Sequence, residues 1–171
     1  MKKFAFLLLM LAFAGSSVYA QFSQSELVAE WKRAKVYTKE YLDAMPADGY
    51  DFKPTPEIRS YAQQMLHLAD ANYFFAATAS GKKMPGQQAE KTVPPNKEAV
   101  TKAVMESYDF AIEALESLKP AQLTERVKLE GQDVSRFGAF GKAFEHQTHH
   151  RGQCTIYLRM KKIVPPQEKL F

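Results

Sequence analysis

The stretch Val134-Ser135-Arg136-Phe137-Gly138-Ala139-Phe140-Gly141-Lys142-Ala143-Phe144-Glu145-His146-Gln147-Thr148-His149-His150-Arg151-Gly152-Gln153-Cys154-Thr155-Ile156-Tyr157-Leu158-Arg159-Met160-Lys161-Lys162 contains no proline. Its apolar residues recur at helical rather than alternating spacing, which predicts one long helix from about Val134 to Lys162. Pro165-Pro166 ends it, because proline lacks the amide hydrogen that a helix interior needs. A helix of this length buries a stripe of side chains only against partners of similar length.

Three such partners are present. Leu27, Trp31, Ala34, Tyr41, Leu42 and Met45 recur at helical spacing over about Ser25 to Met45, and Pro46 and Gly49 follow. Thr55 and Pro56 read as the cap and first turn of a second helix, about Pro56 to Ser80, that is apolar on most of its circumference and stops at Gly81. Asn96 caps a third, about Lys97 to Leu118, whose Val100, Ala103, Val104, Ser107, Ala111, Ala114, Leu115 and Leu118 form a narrow seam. Arg126 to Glu130 alternates as a short strand would, but no segment is long enough to build a sheet. The fold class is therefore all-α, a four-helix bundle. Its two long connections, Gly81 to Pro95 and Lys119 to Asp133, have 15 residues each. At roughly 3.3 Å per residue either reaches about 50 Å, whereas a 20-residue helix spans about 30 Å. Either link can join parallel neighbours, which is the requirement of an up-down-down-up arrangement.

The N-terminus has its own reading. Lys2 and Lys3 precede an unbroken apolar run, Phe4 to Ala14, and Val18-Tyr19-Ala20 offers small residues at the usual cleavage positions. This predicts a signal peptide over residues 1–20 and a mature domain of residues 21–171, exported to the periplasm or secreted. The run is short for a membrane span, so no stable membrane anchor is expected after cleavage; an uncleaved anchor is the alternative. Without Lys2 and Lys3, 21 basic side chains face 19 acidic ones, interleaved along the chain. That balance gives no electrostatic footprint for nucleic acid. Cys154 is the only cysteine, so no intrachain disulfide supports the fold. A buried thiol is the expected state for it, with a reactive thiol or fourth metal ligand as the alternative.

Within the long helix, His146 and His150 are four residues apart. At 100° per residue they differ by about 40°, one turn above each other on one face. That spacing suits two imidazole nitrogens on one metal ion, although two histidines so placed are also found as solvated or internally bonded residues. Ala139, Ala143, Gln153 and Tyr157 share the stripe, and the alanines leave room beside His146. Metalloprotease patterns do not fit: Gln147 follows His146 where a general-base glutamate would stand, and His149 precedes His150.

The run His146-x-x-x-His150-Arg151-Gly152-Gln153, followed by Tyr157-Leu158-Arg159, Ile163 and Pro165-Pro166, resembles the DinB/YfiT-like family. So does Phe52-Lys53-Pro54-Thr55-Pro56-Glu57-x-Arg59-Ser60, followed by His67-Leu68-Ala69-Asp70-Ala71-Asn72. The resemblance spans nearly the whole mature chain with its motifs in order. It implies a four-helix bundle, often a homodimer, in which three histidines bind a divalent metal ion such as zinc or nickel. Those positions carry over onto His67, His146 and His150. Periodicity alone leaves His67 half exposed, so its role rests on the resemblance. His149, Gln153 and Asp70 are candidates for bonding to the ligands or for moving a proton near them. Three ligands leave a position open, as in catalytic sites. The resemblance further implies a metal-dependent hydrolase or thiol S-transferase acting on a small-molecule substrate. The alternative is a non-catalytic metal- or ligand-binding bundle of the cell envelope.

Overall fold

A computed structural model of the chain describes residues 24–86 and 88–171; the expected signal segment lies outside them. Helix α1 spans residues 24–44 and is followed by a 3-10 turn, Ala47–Gly49. Helix α2 is Tyr61–Ser80, the one-turn helix α3 is Ala89–Thr92, and α4 is Lys97–Glu116. A second 3-10 turn, Pro120–Thr124, leads into strands β1, Arg126–Leu129, and β2, Gln132–Ser135, and the long helix α5, Arg136–Met160.

Side-chain bonds fix the direction of each long helix. Gln24 Nε2 donates to the Leu115 and Leu118 carbonyls near the end of α4, and Lys97 Nζ at its start donates to the Asp43 and Met45 carbonyls. Helices α1 and α4 are therefore antiparallel. Trp31 stacks edge-on against Phe144, and Tyr41 Oη bonds Thr155 Oγ1 at 2.8 Å, so α1 and α5 run parallel. Tyr61 packs against Tyr157 near the start of α2, and the Ala79 carbonyl at its end accepts from Arg136, so α2 opposes α5. The order is up-down-down-up, as the lengths of the connections allow, and α2 packs on both α4 and α5. Trp31, Tyr61, Met65, Leu66, Leu68, Tyr108, Leu115, Phe140 and Leu158 fill a core drawn from all four long helices, each 0–1% exposed. A polar belt crosses it: Tyr108 Oη and Arg151 Nη1 both donate to Gln147 Oε1 at 2.7 Å, and the Arg151 guanidinium lies 4.6 Å from the Tyr37 ring.

Three local features depart from the sequence reading. Helix α2 starts at Tyr61, not Pro56. Ser60 Oγ accepts from Gln63 N, and Gln63 Oε1 accepts from Ser60 N at 2.9 Å, a reciprocal cap that outcompetes Thr55. The Tyr61 and Ala62 amides then donate to the Phe52 and Tyr50 carbonyls, so residues 51–59 stay a loop strapped over α5 by Tyr157 Oη on the Arg59 carbonyl. Next, the first connection carries α3, docked on α2 where the Asp70 carboxylate accepts the Ala89 and Glu90 amides at 2.6 and 3.0 Å. Finally, Arg126 to Glu130 is half of a hairpin. Val127 pairs with Val134 and Leu129 with Gln132 across a two-residue turn with φ +48° at Glu130 and +81° at Gly131. Both positive φ values match the turn twist that closes tight hairpins, and glycine adopts the second without penalty. Since Val134 belongs to the strand, α5 starts two residues later than expected, with Ser135 Oγ accepting from Gly138 N at 3.0 Å.

Candidate metal centre

Helix α5 presents His146 and His150 on one face, and the antiparallel α2 brings His67 opposite them. The three ring centroids are 4.3, 4.6 and 5.3 Å apart, and one nitrogen from each ring lies within 4.8 Å of the others. No other group of three or more His, Cys, Asp or Glu side chains so placed occurs among the described residues. His150 is 8% exposed, whereas His67 and His146 are half-buried.

Each ring is held differently. His67 Nδ1 faces Glu90 Oε2 at 3.4 Å, and Arg59 Nε donates to Glu90 Oε1 at 2.9 Å. Arg59 Nη2 also approaches His67 Nδ1, at 3.3 Å. A guanidinium can only donate, while the carboxylate can only accept. Both contacts involve an ionised group: a proton on Nδ1 is drawn to Glu90, whereas a proton on Nε2 leaves Nδ1 to accept from Arg59. His150 Nδ1 meets the Gln64 side-chain amide at 3.0 Å. His146 Nδ1 is buried and has no hydrogen-bond partner.

The electrostatics favour neutral rings. Burial, then the neighbouring imidazoles, push His146 down to about 4 and His150 to about 3. Burial and then Arg59 lower His67, against the opposing pull of Glu90 and Asp70. Neutral imidazole is the form that ligates metal. A convergent set of three neutral nitrogens, one ring carrying an orphaned buried nitrogen, fits a divalent ion of the borderline type.

Of the supporting residues, Gln153 bonds Gln64 through Oε1 and meets His149 Nε2 at 2.7 Å through Nε2. His149 is exposed and lies outside the convergent set. Asp70 reaches the α3 amides rather than the rings, so it acts by holding Glu90 in place and is not free as a base. Ala139 and Ala143 are fully buried and face the core, so they leave no room beside His146. Open space lies on two sides: a cavity of about 560 Å³ between α5, Phe75 of α2, and Leu129, Gln132 and Val134 of the hairpin, with His146 and His149 on its wall, and one of about 610 Å³ beside Arg59, Gln64, Glu90 and Gln153. Cys154 is fully buried and burial raises its thiol, the state of an inert core residue.

Sequence reasoning missed Gln64 and Glu90. Gln64 stands three residues before His67, on the same helical face, which is a usable signal. Glu90 lies in a connection whose path no periodicity encodes.

Residues 30–154 match the sequence profile described as the DinB superfamily. The protein YjoA of Bacillus subtilis is 23% identical over 139 residues, covering 79% of this chain and 88% of that protein. The crystal structure of a DinB-like protein from Bacillus cereus superposes with a TM-score of 0.74 at 19% identity, over 84% of this chain and 95% of that one. That of YjoA gives 0.65 at 20% identity, over 85% and 96%.

Proposed function

The chain belongs to the DinB superfamily, and from that premise we propose that it is an exported metal-dependent enzyme, a hydrolase or a thiol S-transferase. His67, His146 and His150 would hold its divalent ion, zinc or nickel. The observation that carries this reading is the convergence of three neutral imidazole nitrogens within 4.8 Å, with no fourth protein ligand beside them among the described residues. A divalent ion held by these neutral rings would supply Lewis acidity that lowers the pKa of a water or thiol.

The chain's own residues supply orientation and shelter. Glu90 and Gln64 set the rings of His67 and His150, as hydrogen-bond partners of metal-bound histidines do. The hairpin and Phe75 wall off a cavity within the size range of small-molecule sites. Its charged neighbours Lys142 and Glu145 pair with each other at 2.8 Å. With Glu130 also on its lining, the cavity suits a largely apolar substrate body that is not anionic, brought against His146. Nucleic acid is not a partner in this reading, and a homodimer is compatible with it.

One observation favours the second reading, a non-catalytic binding protein. Asp70 and Glu90 are both engaged, so no unpaired carboxylate is aimed at the three rings. Metal analysis of the mature protein, purified from its host without added metal, is expected to find about one divalent ion per chain and none in His150→Ala. Metal-dependent turnover of esters, amides or an electrophile-plus-thiol pair, lost in His150→Ala, identifies the enzyme. Tight ligand binding at the metal without turnover identifies the binding protein, and a wild-type chain lacking metal sinks both. Export is tested on the same material: its mass should start at Gln21, and an intact Met1 contradicts cleavage.

A further inference from the structure

We propose that Gln64 and Gln153 form a two-amide relay that decides which nitrogen His150 presents, and that carries the state of the metal site out to His149. The inference rests on the three-histidine metal reading.

The relay is a continuous line of polar atoms from a buried ring to an exposed one. Gln64, 3% exposed, places its amide 3.0 Å from His150 Nδ1 and against the Gln153 amide. The other end of the Gln153 amide is 2.7 Å from His149 Nε2. Two hydrogen arrangements satisfy these positions. In the first, the Gln64 NH2 donates both to His150 Nδ1 and to Gln153 Oε1, and the Gln153 NH2 donates to His149 Nε2. His150 then accepts at Nδ1 and carries its proton on Nε2. In the second, both amides are turned over: His150 Nδ1–H and the Gln153 NH2 donate to Gln64 Oε1, and His149 Nε2–H donates to Gln153 Oε1. A mixed arrangement sets oxygen against oxygen, or NH2 against NH2, between the two glutamines. Such a contact loses the hydrogen bond between the two amides, worth about 0.5–1.5 kcal/mol. The two amides therefore turn together.

Only the second arrangement frees Nε2 of His150, since a ring nitrogen cannot both carry a proton and ligate a metal. Metal binding through Nε2 thus selects it, and the exposed His149 Nε2 changes from acceptor to donor. Gln64 is a positioning residue with a further consequence: whatever bonds His149 on the cavity wall meets a different partner in the loaded and unloaded protein. His67 has no amide partner to turn; Glu90 Oε2, 3.4 Å from its Nδ1, can take the proton there when Nε2 is the ligand.

Zinc titration of the mature chain labelled with 15N-histidine tests this. In the wild type, zinc should move the His149 ring from the Nδ1–H to the Nε2–H tautomer. Gln64→Glu supplies an acceptor for Nδ1–H and should bind zinc at least as tightly as wild type. Gln64→Leu, which can neither donate nor accept, should bind it about 10–100-fold more weakly. Gln153→Leu, at an exposed position, should retain zinc binding and lose the His149 response. An unchanged His149 tautomer in zinc-loaded wild type, or Gln64→Leu binding as wild type does, overturns the relay while leaving the metal site standing. Absence of zinc binding by the wild type overturns both. If Gln64→Leu fails to fold by circular dichroism, the wild-type and Gln153→Leu spectra decide.

Discussion

His146 is half-buried and His150 buried on one face of α5, and their surroundings make protonation unfavourable. Burial above all, and then the neighbouring imidazoles, lowers them to about 4 and about 3, from an ordinary histidine value of about 6.5. The sign follows directly. The unfolded chain takes up protons at these positions before the folded chain does, so stability rises with pH through this window. It is present in full above about pH 6.5 and is lost as pH falls through the folded values. The metal-free protein should therefore show a lower urea midpoint at pH 5 than at pH 7.5. The double variant His146→Gln/His150→Gln should show a flatter dependence. Equal slopes for the two proteins would place the acid sensitivity elsewhere. Solvent reaches this cluster, which limits the size of the effect.

At the scale of elements, the centre depends on where α2 begins. The Ser60–Gln63 cap fixes that start, and it sets the rotation at which Gln64 and His67 face α5. Ser60→Ala removes the acceptor for a helix-terminal amide and is expected to cost about 1 kcal/mol in urea unfolding. Because His67 lies nearly two turns further in and is held by Glu90, metal stoichiometry should not change. An unaltered midpoint would show that the loop, rather than the cap, sets the helix start. The hairpin is the other element that matters. It pairs only with itself, and its inward residues Leu129 and Val134 form a cavity wall.

At the scale of the molecule, the core and the metal centre are separable. Trp31, Tyr61, Tyr108 and Phe140 are buried among residues of all four long helices, and none belongs to the histidine cluster. Removing metal with a chelator should therefore leave the helical circular dichroism intact. An ion present at about 100 times its Kd stabilises by about 2.7 kcal/mol. For a domain of this size that converts to roughly 5–10 °C in melting temperature. Collapse of the helical signal on chelation would instead make the site structural. The same separation lets residues at the cluster be replaced without dismantling the bundle. By contrast, the Tyr108–Gln147–Arg151 belt lies inside the core, and losing Gln147 takes the 2.7 Å acceptor from the buried Arg151 charge.

The sequence alone determined what is local or additive. Helical periodicity, prolines and glycines set the number of long helices and their breaks, and the length of the Gly81 to Pro95 link allowed α2 and α4 to run parallel. The four-residue step from His146 to His150 is a property of one helix, so it was legible before any packing was known. The hairpin was half visible, in the alternation of Arg126 to Glu130, while its partner strand hid within the expected start of α5. Tertiary structure alone decided which side chains meet across elements. His67 read as half exposed from its own helix, and only the rotation of α2 against α5 turned it toward the pair. Glu90 arrived by way of Asp70 and α3, Gln64 by its reach to His150, and the cavity by the fold of the hairpin over Phe75. The reason is physical. Spacing along one helix follows from backbone geometry, whereas proximity between helices follows from how the whole core packs, and no single segment carries that sum.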